Sequence, residues 1–476
     1  MTDQLIIGGT RQDAVDGATF EVHSPATARV VGTVAKAGPA DVDAALKIAS
    51  AAHDDGVWAH VPPPERGRVL ARVASLLAEH ADELAAYECS DAGHPIASAR
   101  GDVAAAIGTF EFYAGAVDKH HGSVLPIADD GLSVALREPV GPCALIVPWN
   151  FPLMIAAWKV APALAAGNPI ILKPASLTPR SALALGDLLV EAGVPAEAVH
   201  VLPGPGRLIG DALVADRRVA KVSFTGETAT GSSILRSSAD NITRITLELG
   251  GKSAAIVFAD ADLEQAAAMM PGGVFDNAGQ DCCARSRILV ERSVYDDFVA
   301  AFAEATRSIT VGDPGDESTE MGPLISAGQR ATSLEYIGIG ADEGAEVVAG
   351  GDAPEGDGYY LNPCVLADVD NAMRVAREEI FGPVAAVIPF DDEADAIRIA
   401  NDSDYGLSGS LWTGSATRSI RVAKALRTGT LSVNSNSSVR VQAPFGGYKR
   451  SGLGRELGLG ALDNYTELKS VYFSAT

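Results

Sequence analysis

Two short segments of the 476-residue chain place a carboxylate and a thiol where covalent chemistry could be done. In Leu247-Glu248-Leu249-Gly250-Gly251-Lys252, Glu248 ends an apolar run, so its carboxylate is expected to lose water and rise in pKa toward a useful general base. In Asn277-Ala278-Gly279-Gln280-Asp281-Cys282, a cysteine follows a glycine-containing turn. A thiolate that attacks a carbonyl carbon, with a carboxylate that activates water, makes acyl transfer through a covalent intermediate. Asn150, held between Pro148 and Pro152, offers a rigid amide donor suited to a developing oxyanion. Each residue also has a plain reading: a cysteine is usually a small buried hydrophobe, a strand-end glutamate an ion-pair partner, and an asparagine between prolines a turn residue.

Composition narrows the class. Lys+Arg 37 against Asp+Glu 61 gives a net charge of −24, which repels phosphate backbones and anionic lipid and argues against nucleic-acid or membrane-surface partners. The 47% hydrophobic content suits a globular chain, and the length calls for two or three domains. No signal core opens the sequence, and the apolar stretch Cys143–Leu172 carries Pro148, Pro152, Pro162, Pro169 and Lys159, which do not suit a lipid span. Five cysteines without a CxxC pair predict neither a disulfide framework nor a zinc site, and a reducing cytoplasm is the expected compartment.

The elements that must position these residues follow from periodicity. The first third reads as helical, with Val69, Leu70, Val73, Leu76, Leu77 and Leu84 at helix spacing and a second helix over Ile96–Val117. Leu132–Leu136 alternates as a half-exposed strand. From Ala144 onward β-rich runs alternate with helices: Ala144–Val147, Ile170–Lys173, His200–Leu202, Lys221–Phe224, Ile245–Leu249 and Ala254–Phe258 are separated by stretches such as Leu153–Ala165, Arg180–Glu191 and Thr228–Ser238. That repetition predicts an α/β fold with a doubly wound parallel sheet. A second α/β unit takes Ile288–Val290, Val384–Pro389, Ser408–Trp412 and Thr430–Val433 as strands. Leu468–Phe473 reads as a terminal strand without an evident partner.

Two glycine clusters, Gly204–Gly210 and Gly452–Gly458, have near-dinucleotide spacing but read better as turns. Gly226–Ser233 imitates a phosphate loop, with Ser232 where the essential lysine belongs, so triphosphate chemistry is rejected. Phe224-Thr225-Gly226 instead reads as a strand end whose following helix offers free N–H groups to an anion.

With Pro148-Trp149-Asn150-Phe151-Pro152 upstream and Glu378-Glu379-Ile380-Phe381-Gly382-Pro383 downstream, the four motifs together resemble the aldehyde dehydrogenase superfamily, from about Ile6 to about Val471. The resemblance implies a Rossmann-type cofactor domain (residues 1–120 and 141–250), an α/β catalytic domain (251–450) and a small β oligomerisation part (121–140 and 451–476) whose terminal strand adds to a neighbour's sheet, giving a homodimer or homotetramer. It implies oxidation of an aldehyde to a carboxylate through a thiohemiacetal and a thioester on Cys282, chosen over Cys283 by alignment through Gly279-Gln280. Asn150 and the Cys282 N–H would hold the oxyanion, and Glu248 would activate water. Lys159 and Glu456 would form a proton relay.

For the cofactor it implies NAD, with NADP left open, bound by Trp149, Lys173, Ser176, Gly226, Gly231, Leu249, Glu379 and Phe381. Ser176 stands where NAD-specific relatives often carry a phosphate-repelling glutamate. Glu227 stands where a small hydroxyl residue is common, and is expected either to turn away from the pyrophosphate or to shift the cofactor slightly. Around the substrate, Phe151, Met154, Ile155 and Trp158 give an apolar wall. Asp281 favours a cationic ω-aminoaldehyde, whereas Ser437 and Arg440 would suit an acidic semialdehyde. Two other classes compete: a cofactor-free cysteine thioesterase or esterase, which would leave Lys173 and Glu379 without a task, and a cofactor-binding protein without turnover.

Overall fold

The computed structural model describes residues 2–475. The chain begins not with helix but with five short strands, β1 (Thr2–Asp3), β2 (Leu5–Ile7), β3 (Thr10–Gln12), β4 (Thr19–His23) and β5 (Val30–Ala35). The expectation of a helical first third is corrected here. These strands are too short to show a period, and only from α1 (Pro39–Asp54) do α2 (Pro63–Glu79), α3 (Ala81–Tyr87) and α4 (Ile96–Ala116) bear it out.

After β6 (Ser123–Leu125) and β7 (Leu132–Pro139) comes the alternating region: β8 (Cys143–Ile146), α5 (Pro152–Ala165), β9 (Ile170–Lys173), α6 (Arg180–Ala192), β10 (Val199–Val201), α7 (Asp211–Ala215), β11 (Lys221–Thr225), α8 (Thr228–Ser238) and β12 (Arg244–Glu248). The second unit holds β13 (Ala254–Val257), α9 (Leu263–Val274), β14 (Arg287–Glu291), α10 (Tyr295–Arg307), α11 (Ala327–Asp342), β15 (Glu346–Ala349) and β16 (Cys364–Ala367). It continues with α12 (Arg374–Arg377), β17 (Val384–Phe390), α13 (Glu393–Asn401), β18 (Tyr405–Gly406), β19 (Gly409–Trp412), α14 (Ala416–Ala425) and β20 (Ser432–Val433). The chain closes with β21 (Tyr448–Lys449), β22 (Gly452–Leu453) and β23 (Thr466–Phe473).

Two large sheets result. The first runs β22-β12-β11-β8-β9-β10-β2-β3 and the second β15-β16-β17-β14-β13-β19-β20. In the first, β12, β11, β8, β9 and β10 are mutually parallel. Both β8 and β9 are buried along their whole length, which is why they read as unbroken apolar runs. Strand order reverses beside β8: the chain moves outward through β9 and β10, then returns to place β11 on the other side. A crevice at the C-terminal ends of strands opens at such a reversal.

The third sheet, β23-β7-β6, supplies the terminal strand with a partner inside its own chain. Leu468 pairs with Arg137 and Phe473 with Leu132, antiparallel. Gly206–Gly210 is a single exposed-sided helical turn leading into α7, as its turn reading anticipated. Among the described residues no helix is long and apolar enough to cross a membrane. α5, in the apolar stretch, is instead buried on nearly every side, with Lys159 wholly inside.

Candidate active site

The crevice lies between the C-terminal ends of β8, β11 and β12 in one sheet and the N-terminal edges of β13, β14 and β17 in the other. Pro148-Trp149-Asn150 follows β8, Thr225-Gly226-Glu227 closes β11, and Glu248-Leu249-Gly250 closes β12. From the opposite side come Cys282, ahead of β14, and Glu379-Ile380-Phe381, ahead of β17. These residues line one cavity of about 350 Å³, completed by Gln329 and Thr332 of α11. All four motifs thus reach one space.

Gly250 and Gly251 make this approach possible. A Cβ on Gly250 would lie 1.8 Å from Glu379 Oε2, and one on Gly251 would lie 2.4 Å from the Cys282 carbonyl oxygen. The Gly251 N–H donates to Glu379 Oε1 at 2.9 Å, so the bare backbone holds the carboxylate directly. Burial pushes the Glu379 carboxyl up to about 7, against the pull of that N–H and of Lys252.

The loop that carries Cys282 is a left-handed turn. Asn277, Ala278 and Gly279 have φ of +48°, +54° and +69°. For the first two this costs on the order of 1 kcal/mol each. The turn is held by Gln280, wholly buried, whose Nε2 donates to Asn277 O at 3.0 Å while its Oε1 accepts from Ile325 N at 2.8 Å. Cys282 is half-buried and faces the cavity, whereas Cys283 is 5% exposed and packs into the core. The neighbouring Cys283 thiol, burial and the Asp281 carboxylate together hold the Cys282 thiol well above its usual range.

Asn150 is buried, and its Nδ2 donates to the Gln280 carbonyl at 2.9 Å. An amide nitrogen carries two N–H groups, so a second remains for a ligand. Glu248 is 3% exposed, and neither of its oxygens has a hydrogen-bond partner. Burial, then the like charge of Glu456, raises its carboxyl well above the ordinary range, while Lys159 and Arg455 pull the other way. Lys159 and Glu456 form a fully buried ion pair. The Thr225 hydroxyl, also buried without a partner, lines the same cavity.

The remaining candidates divide. Trp149 and Phe381 meet edge to face at 5.3 Å in the cavity wall, with Phe381 at φ +58°. Gly231 lies against Leu249, where a Cβ would meet Leu249 Cδ2 at 2.5 Å; it admits Leu249 rather than lining the cavity. Lys173 and Ser176 stand one strand away, at the end of β9. Lys173 is buried, which pulls its ammonium down to about 8, and Ser176 Oγ donates to Gly204 O at 2.9 Å. Glu227 is solvent-exposed and lies on the rim of the cavity.

Of the expected substrate contacts, Phe151, Met154, Ile155 and Trp158 share one face of α5 and its entry, and Trp158 packs edge-on to Phe445 at 5.2 Å. Asp281 accepts the Cys283 N–H at 2.8 Å. Ser437 and Arg440 are exposed and bonded to each other at 2.7 Å.

Sequence reading missed Gln329, whose Nε2 donates to both Ile380 O and Phe381 O at 2.8 Å. It also missed His94 behind Asn150. Nothing near Gln329 signals this task, since its partners lie about fifty residues on; Gly93-His94-Pro95, a histidine between two helix breakers, was a readable mark.

Comparison with known proteins agrees with this geometry. The Aldehyde dehydrogenase family profile matches residues 12–471. An aldehyde dehydrogenase of Emericella nidulans is 44% identical over 470 residues, 98% of this chain and 94% of that protein. The betaine aldehyde dehydrogenase of Bacillus subtilis is 40% identical over 478 residues, 99% and 97% of the two chains. The NAD+ complex of an aldehyde dehydrogenase from Bacillus cereus superimposes with a TM-score of 0.98 at 43% identity, covering 100% of this chain and 97% of that one. A match of this extent in both sequence and fold settles the lineage: the chain belongs to the aldehyde dehydrogenase family.

Proposed function

We propose that the protein is an NAD-dependent dehydrogenase that oxidises a medium-sized aldehyde to its carboxylate, with Cys282 as nucleophile and Glu248 as general base. The observation that carries this reading is the joint arrival of Cys282, Asn150, Glu248 and Glu379 at one cavity, with Glu248 desolvated and unpartnered.

A structural glutamate at this depth would be paired; one left free suits a water-activating base. Cys282 Sγ would add to the aldehyde carbon, giving a thiohemiacetal whose oxyanion is met by the second Asn150 N–H and the Cys282 backbone N–H. Such donors are worth roughly 3–4 kcal/mol each where water is excluded. A raised thiol needs its proton removed as it attacks, and water in the cavity would carry that proton to solvent, which leaves Glu248 free for the hydrolytic half. Bound NAD supplies the hydride acceptor, and loss of hydride leaves a thioester on Cys282. Glu248 then takes a proton from the water that hydrolyses it, freeing the carboxylate and the thiolate. The Lys159–Glu456 pair lies behind Glu248 and provides an exit for that proton.

The residues present fit the cofactor. Thr225, Gly226 and the start of α8 offer a hydroxyl and helix N–H groups to a pyrophosphate, Glu379 a carboxylate to a ribose, and Trp149 and Phe381 aromatic faces to the nicotinamide. The Bacillus cereus relative carries NAD+ at this level of similarity. In this reading the first sheet is the nucleotide domain and the second the catalytic one. The exposed Leu468, Tyr472 and Phe473 on the terminal sheet support assembly into a dimer or tetramer.

The α5 face gives the aldehyde an apolar body to contact. A cationic ω-aminoaldehyde has support from the betaine aldehyde relative, with Asp281 beside Cys282 as the carboxylate it would meet. The test is initial formation of reduced nicotinamide on a panel of amine-bearing, neutral and acidic aldehydes, with NAD and NADP separately. Turnover that requires cofactor and is lost in Cys282→Ala is expected. Turnover without cofactor would instead favour the hydrolase class. Equal turnover of the amine-bearing aldehyde and its neutral analogue would remove the role given to Asp281.

A further inference from the structure

His94 lies in the turn between the helical segment Glu88–Ala92 and α4, 1% exposed. Its Nδ1 is 2.7 Å from Asp102 Oδ2, and its Nε2 is 2.6 Å from the backbone oxygen of Asn150. Its ring stands edge-on to Phe151 at 5.3 Å. A carbonyl oxygen and an ionised carboxylate only accept hydrogen bonds, so both ring nitrogens must donate. That is the doubly protonated imidazolium. Burial disfavours the charge. The Asp102 hydrogen bond and carboxylate, with Glu88 and Asp276 also facing the ring, outweigh it and hold His94 up at about 9.

The Asn150 carbonyl accepts a second bond, from Asn277 Nδ2 at 2.8 Å, and Asn277 belongs to the nucleophile loop. The peptide of Asn150 is therefore fixed from one side by His94 and from the other by the loop that carries Cys282. Glu88, His94 and Asp102 also have ligand-type atoms within 4.8 Å of one another. Neither ring nitrogen is free for a metal, so the cluster is a set of hydrogen-bonded charges.

We infer that His94, held as an imidazolium by Asp102, is a positioning residue that fixes the Asn150 peptide and so aims the remaining Asn150 amide N–H at the oxyanion formed beside Cys282. This rests on the reading of Asn150 as an oxyanion donor.

The test compares wild type, His94→Gln, His94→Lys, Asn150→Ala and the His94→Gln/Asn150→Ala double variant for kcat, KM and the dissociation constant of NAD. His94→Gln cannot donate in both directions and is expected to lower kcat 10- to 100-fold, the loss a small misplacement of a reacting group causes, with NAD binding changed less than twofold. His94→Lys, which keeps a buried cationic donor, should recover part of that loss. In the Asn150→Ala background, His94→Gln should cost less than threefold, because the group it positions is gone.

A kcat within threefold of wild type in His94→Gln, equal losses in both backgrounds, or a parallel loss of NAD binding would overturn the inference. If His94→Gln does not fold, Asp102→Asn removes the counter-charge and is judged by the same pattern. Wild-type turnover abolished by Cys282→Ala is the separate control: its absence refutes aldehyde oxidation itself, whereas an active wild type with an unaffected His94 variant refutes only the positioning role.

Discussion

Lys159 Nζ is ion-paired to Glu456 inside the protein, and Ser223 Oγ closes the triangle, accepting from Lys159 at 3.1 Å and donating to Glu456 at 2.7 Å. The triangle stands behind Glu248, on which Glu456 acts as a like charge and Lys159 as an opposite one. A buried pair of this kind is costly to break, about 3–5 kcal/mol when one partner is removed, because the other charge is left uncompensated. Its position beside Glu248 gives it an electrostatic effect there that a pair elsewhere would lack.

As the proposed base, Glu248 would act only when deprotonated, so kcat should rise with pH through its raised pKa, with an acid limb above the ordinary carboxylate range. Glu456→Gln removes the like charge, which lowers that pKa and should move the limb to lower pH. A pH–rate profile of the two proteins decides it; a shift to higher pH would contradict the arrangement.

Glu248→Gln separates the two halves of the reaction. Acylation should continue to a single burst of reduced nicotinamide, about one per site, and steady turnover should fall about 10²–10⁴-fold, the span expected for a lost general base. Stopped-flow absorbance measures both. No burst would place the role of Glu248 before the thioester instead.

Gly250→Ala puts a Cβ where Glu379 Oε2 now lies, 1.8 Å away. The carboxylate must swing out and lose the Gly251 N–H. The KM for NAD should rise about tenfold, near 1.4 kcal/mol. Adding Glu379→Ala to that variant should cost little more, since the carboxylate is already displaced. Initial-rate kinetics over a range of NAD concentrations test this.

Ser176 is small, neutral and bonded to Gly204 O, so nothing at that position repels a 2′-phosphate. Wild type should use NADP measurably as well as NAD, and Ser176→Glu should lower kcat/KM for NADP at least tenfold more than for NAD. An unchanged ratio would place the ribose elsewhere.

His200 is wholly buried, with Nδ1 accepting the Gly8 N–H and Nε2 donating to Glu197 O, an arrangement only the neutral ring can make. Burial pulls it down to about 4, below the ~6.5 of an unfolded histidine. Between those values the unfolded chain binds a proton the folded one does not, so stability is full above pH ~6.5 and is lost as pH falls toward 4. The loss from this group is ~3 kcal/mol at most. Urea midpoints across that window should fall in wild type and fall less in His200→Gln.

The alternating region was legible because β8, β9, β10 and β11 are buried throughout and α5, α6 and α8 run eleven residues or more: Ile170–Lys173 and Thr228–Ser238 have the bounds read from the sequence. The five opening strands were not, since two to six residues carry no usable period. The partner of the terminal strand was hidden for another reason. Pairing between Thr466–Phe473 and Leu132–Pro139 spans more than three hundred residues, and strand partners at that distance leave no local mark.

Cys282, Glu248, Asn150 and Glu379 were each marked locally, by glycines or prolines that only a close backbone approach or a rigid turn requires. The sequence by itself therefore determined the residue types, the turns that present them and the family they belong to. Only the tertiary structure decided that the C-terminal ends of one sheet face the N-terminal edges of the other, which brings Glu248 and Cys282 to a shared cavity. It alone left both Glu248 oxygens without a partner and set His94 against the carbonyl of Asn150. These are consequences of packing between segments far apart in the chain, where burial and opposing charges set each group's protonation, and local sequence carries no record of them.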